Sequence, residues 1–135
     1  MTIDWAQMCS WATELSRTTP LGEIPFEIGP AIREYANADV AGVISPVPGF
    51  GTKRDGTFDQ PQWQFRIRAR EHQMAELWAT ANWFDRVLIQ EIGGQALWGT
   101  WVLLTGRSGG SPTPLEEDTR ERRSVVCTYF AEVEL

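Results

Sequence analysis

The chain has 135 residues, a formal net charge of −6 and 42% hydrophobic side chains, with seven Trp against a single Lys. That length fits one domain over residues 1–135, large enough to bury roughly two-thirds of its unfolded surface without help from a disulfide or a metal. The apolar fraction excludes a disordered tail, and the surplus of carboxylates argues against avid nucleic-acid binding, which depends on clustered Lys and Arg.

Met1-Thr2-Ile3-Asp4-Trp5 carries neither a basic region nor an apolar run, so no secretory leader is expected. No window is apolar enough to span a bilayer, and the expectation is a cytoplasmically made protein with no membrane partner. Asp4 suits an N-cap, and Trp5, Met8, Trp11, Ala12 and Leu15 follow at helical spacing, which predicts an amphipathic helix over 4–17. Thr18 to Gly22 stops it. Residues 23–39 are broken by Pro25, Gly29 and Pro30, with a short helical turn expected over 31–36.

Residues 40–47 are rich in β-branched side chains and predict a strand, and 48–62, with three Gly and two Pro, predict a long connection. Trp63 to Arg70 alternates cleanly: Trp63, Phe65, Ile67 and Ala69 share one face, and Gln64, Arg66, Arg68 and Arg70 the other. Met74, Leu77, Trp78, Ala81, Phe84 and Leu88 then predict a helix over 71–90, closed by Gly93-Gly94. Residues 96–105 predict a second strong strand, 106–119 a loop, and 122–134 a last alternating strand. The fold class expected is α+β: a single mixed or antiparallel sheet of about four strands, with two main amphipathic helices packed on one face.

Little in the chain is arranged for chemistry. His72 is the sole histidine, so a His-based zinc set is excluded, and no nucleophile stands beside it in a recognisable motif. Gly49-Phe50-Gly51-Thr52-Lys53 lacks the spacing of a phosphate cradle, and Glu116-Glu117-Asp118 lacks the alternation of a calcium loop. Cys9 and Cys127 show no paired spacing and read as small buried hydrophobes. No catalytic residue, cofactor or metal is expected.

The informative feature is eleven Arg beside one Lys, gathered as Arg66, Arg68, Arg70 and as Arg120, Arg122, Arg123. One reading is a strand face turned to water. The other is a subunit interface, where Arg serves planar pairing with carboxylates and Trp, such as Trp63, serves as an anchor.

Gln64-Phe65-Arg66-Ile67-Arg68-Ala69-Arg70, followed at once by a long helix, resembles the central strand and helix of tailed-phage tail terminator proteins, often labelled minor capsid proteins. Leu103-Leu104-Thr105-Gly106-Arg107-Ser108-Gly109-Gly110, then Pro112-Thr113-Pro114-Leu115, Asp118, Arg122 and the closing strand Ser124–Phe130 are similar to that family's last loop and strand. The resemblance covers residues 63–131. It implies a structural virion protein without enzymatic activity, a homohexameric ring that caps the tail tube and stops its polymerisation. The implied partners are further copies of itself, the tail tube protein and the head-to-tail connector or stopper, with DNA only passing through the bore. The alternative is another neck protein, a head-completion or stopper component. The candidate interface residues are Trp63, Arg66, Arg68, Arg70, Arg107, Asp118, Arg120 and Arg122.

Overall fold

The computed structural model describes residues 3–29, 39–52, 58–115 and 120–134. The Asp4 carboxylate accepts from the Gln7 N–H and starts α1, Trp5–Ser16, whose face Met8, Cys9 and Ala12 is buried. The strands and the second helix follow as β1 (Phe26–Ile28), β2 (Ala41–Thr52), β3 (Phe58–Arg70), α2 (Met74–Gln90), β4 (Gln95–Leu97), β5 (Thr100–Arg107), β6 (Thr113–Pro114) and β7 (Arg122–Glu134). A single 3-10 turn, Glu71–Gln73, joins β3 to α2.

The expectation of four strands with two helices on one face is overturned. Seven strands form one curled, mixed half-barrel sheet in the order β1-β2-β3-β7-β5-β4, with β6 also paired to β7. Among the described residues only β1 and β2 run parallel, and the other pairs are antiparallel. The additional strands are the short β1 and β6 and a β4 split from the predicted 96–105 strand, and β2 and β3 are longer than expected. The 48–62 stretch is not one loop, because β2 persists to Thr52 through a register shift and β3 already begins at Phe58. The predicted 96–105 strand is split by a two-residue turn, Trp98 and Gly99, both at positive φ (55° and 76°). That is the twist a tight hairpin requires, and it is costly for a side chain as large as Trp. The conformation turns the Trp98 ring into the core, where it is 2% exposed. The turn predicted over 31–36 lies outside the described residues.

Curling leaves an open side, and α1 lies across it. The Asp4 N–H donates to the Trp98 carbonyl at the β4–β5 turn, and Thr13 Oγ1 accepts from the Phe26 N–H on β1. The core fills the space between. Trp63 meets Trp5, Trp98 and Tyr129, while Phe65 meets Phe26, Phe84 and Tyr129. Full burial of each such ring contributes about 2–3 kcal/mol, with edge-to-face packing adding to it. Of the seven Trp, Trp63 and Trp98 are buried, Trp5, Trp11, Trp78 and Trp83 pack partly buried against the core, and Trp101 is 43% exposed.

Gly42, on β2, sits under the Phe26 ring so closely that a Cβ would collide with it. Phe26 is itself held between Phe65 and Phe84, so it has little room to yield. Gly42→Ala is expected to cost about 1–3 kcal/mol by overpacking. A urea midpoint unchanged from the parent chain would refute this.

Candidate functional site

Two polar clusters stand out from the apolar core. The first gathers at the end of the sheet where β3 finishes and β7 begins. Register places Arg70 directly opposite Arg122, an unfavourable pairing of like charges unless an anion lies between them. Asp39 supplies it. Its carboxylate takes the Arg70 Nε at 2.5 Å, its Oδ1 lies 3.9 Å from Arg122 Nη1, and its backbone carbonyl accepts from Arg68 Nε at 3.2 Å. Arg123 pairs with Glu71 at 3.6 Å. Beside these groups opens a cleft of about 580 Å³ lined by Asp39, Arg70, Glu71, His72, Arg120 and Glu121.

The predicted interface residues divide by depth. Arg68 and Arg122 are buried, Arg66 is half-buried, and Arg70 and Arg120 are exposed. Desolvation lowers the Arg66 pKa from its ordinary value. Trp63 lies wholly inside the chain's own core, and Asp118 is outside the described residues. Arg68→Glu therefore reads folding before it reads any contact between copies. Reversing a buried charge hydrogen-bonded to Asp39 is expected to cost about 3 kcal/mol or more. A thermal melt identical to that of the parent would contradict this placement.

The second cluster was missed by sequence reasoning. Asp85, on the buried face of α2, accepts from Arg107 Nε at 2.9 Å and pairs through its other oxygen with the same guanidinium. The Tyr129 hydroxyl donates to Asp85 Oδ1 at 2.8 Å. Arg107 thus joins the helix rather than the β3 end of the sheet. The signal was present: at the spacing of Leu77, Ala81 and Leu88, Asp85 is a carboxylate on an apolar stripe, which must find partners when buried. Burial pushes its carboxyl up, but the hydrogen bonds from Arg107 and Tyr129 and the guanidinium charge outweigh it, and the net pKa is lowered. The hydrogen bond to Asp85 raises the Arg107 pKa, and burial raises that of Tyr129. At neutral pH every proton in the trio stays where it is. The arrangement clamps α2 to β5 and β7 and is unsuited to moving protons.

Cys9 and Cys127 are both free and buried, and burial with the nearby Glu27 raises the Cys9 pKa to about 11. The Cys127 thiol donates to the Gly110 carbonyl at 3.6 Å. Among the described residues, no group of three His, Cys, Asp or Glu side chains is placed to hold a metal ion, and no helix is long and apolar enough to cross a membrane.

No protein-family model matches the chain, and neither does any curated protein. Solved structures do. A chain from the virion of a native gene transfer agent particle superposes with a TM-score of 0.59 at 12% identity, covering 98% of this chain and 92% of that one. A second solved chain gives 0.54, also at 12% identity, over 96% of this chain and 89% of the other. At such identity the likeness shows a shared fold, spanning nearly the full length of both partners.

Proposed function

We propose that the chain is a structural protein of a phage-like virion and, within it, a tail terminator. Six copies form a ring that caps the tail tube, stops its polymerisation and presents a docking face to the head connector. The observation that carries this reading is the fold shared, almost end to end, with a chain of a gene transfer agent virion. The strand Gln64–Arg70 leading into α2, and the β5–β7 segment, add the family resemblance.

The physical chemistry is compatible with this role. A net charge of −6 suits a ring through which DNA passes without adhering. The buried polar cluster on α2 stiffens the protomer, and a stiff protomer loses little conformational entropy on assembly. No catalytic step belongs to this reading. The partners are the chain's own copies, the tube protein and the connector.

Imaging intact particles with this chain located in them tests the assignment. The expected result is a six-membered ring at the head-proximal end of the tube. A position elsewhere in the neck favours a head-completion or stopper component, and absence from the particle overturns both.

A further inference from the structure

Arg66 stands apart from the other arginines of β3. Arg68 and Arg70 are both bound to Asp39. The Arg66 guanidinium makes no hydrogen bond or ion pair among the described residues, and its Nε is buried. Glu27 shares its row two strands away, but the buried Val43 stands between them. A half-buried cation without a counter-ion carries a desolvation cost, and no described residue offsets it.

A hollow opens beside it on the same face of the sheet. β5 leaves β7 after Arg107 and β6 rejoins it at Thr113, so residues 108–112 swing out of the ladder next to Cys127. The space they leave, about 130 Å³, is lined by Gln64, Ser108, Ser111, Thr113 and Thr128, and no carboxylate among the described residues lines it. Register sets these groups in two adjoining rows that face away from the core. Gln64 lies opposite Thr128, whose carbonyl accepts from the Ser108 N–H. Arg66 lies opposite Val126, which pairs on its other side with Thr113. Such rows are about 7 Å apart, within the length of an arginine side chain. The Thr113 hydroxyl is spent on the Ser111 carbonyl at 3.0 Å. Ser108 Oγ accepts from Gln62 Nε2 at 2.6 Å, which leaves its own proton for another acceptor. The Gln64 and Thr128 side chains have no partner among the described residues.

We propose that this hollow binds a small oxyanion, a phosphate or a carboxylate group, between the Arg66 guanidinium and the Gln64, Ser108 and Thr128 donors. Donors without acceptors beside a cation without an anion are the complement of such a group, and a planar guanidinium pairs with two of its oxygens at once. The volume is that of about four waters, enough for one oxyanion and too small for a nucleotide. The oxyanion is either free in solution or carried on an acidic side chain of a docked protein, and the same donors serve both. The site does not depend on the ring reading.

Titrating the full chain with inorganic phosphate at constant ionic strength, followed by amide NMR, tests this. Saturable shifts are expected at Gln64, Ser108 and Thr128. Arg66→Gln and Thr128→Val should each weaken binding about tenfold or more. Without phosphate, Arg66→Gln should melt no lower than the parent, because it removes an unpaired charge, whereas a purely structural arginine would lower the melt. Light scattering of the same variant separates the sources. Assembly weakened by Arg66→Gln and by added phosphate identifies a protein carboxylate as the occupant, and assembly indifferent to both identifies a free anion. Shifts that are absent, do not saturate, or persist unchanged in Arg66→Gln overturn the site, whatever assembly the chain shows.

Discussion

Asp85→Ala is expected to destabilise the chain by about 2–4 kcal/mol, visible as a lower urea midpoint at pH 7. The Asp85 carboxylate lies between Arg107 and Tyr129, and its removal leaves the Tyr129 hydroxyl buried without its acceptor. The estimate stays at the lower range for a broken buried pair because the Arg107 side chain is 36% exposed, and water screens part of the attraction. Asp85→Asn keeps the shape and one acceptor, loses the charge and should fall between the two.

The same residue predicts a pH dependence. Its carboxyl titrates lower in the folded chain than in the unfolded one, near 3.9 for a free Asp. The stabilisation it contributes is therefore fully present above that unfolded value and is lost as pH falls through the lower, folded one. The gap in stability between parent and Asp85→Ala should stay constant from pH 7 to about 5 and close in more acidic solution. A gap that widens on acidification would refute the assignment.

Trp63→Ala should be the more damaging change, at about 3–5 kcal/mol. The side chain is completely buried and touches rings from α1, the β4–β5 turn and β7. Against a total stability of about 5–15 kcal/mol, such a loss leaves a measurable unfolded population at 37 °C. Trp63→Phe should recover more than half of it. If Trp63 were an anchor between copies instead, the monomer would melt at its parental temperature and only assembly would suffer. Thermal melts under dissociating conditions separate these outcomes.

What the sequence disclosed follows the range of its periodic signals. β3 and β7 alternate over eight or more residues, and their buried rows, Trp63 to Ala69 and Val125 to Val133, are the ones the alternation predicts. The apolar stripe of α2 is equally legible. β1, β4 and β6 are three, three and two residues long, too short for any period to register. The β4–β5 turn is hidden for a different reason. A Trp-Gly pair in left-handed conformation is not the Asn-Gly or Asp-Gly that announces a hairpin, and only the burial of the Trp98 ring accounts for it.

The candidate sites follow the same division. The arginines of β3 and β7 are visible as stripes, but Asp39, whose carboxylate pairs with Arg70 and whose backbone carbonyl accepts from the Arg68 side chain, lies about thirty residues away in the chain with no local pattern to flag it. Asp85 carried a local signal, and its partners did not. Nothing in residues 107 and 129 alone says that they converge on one helix.

Strand order also constrains how the chain comes to be folded. β7 is the most central of the long strands, flanked by β3 on one side and by β5 and β6 on the other, yet it is synthesised after all of them. Until Arg122–Glu134 emerges, the row Trp63, Phe65, Ile67 has no neighbour along one edge, and β5 is paired only with the three-residue β4. Helix α1, which precedes these strands in the chain, docks on rings contributed by residues 63, 84 and 98, so it too must wait. Most contacts span a long stretch of chain, which slows folding and leaves a nascent sheet edge open to misassociation. A newly made chain has a closed sheet only once β7 has paired with β3 and β5.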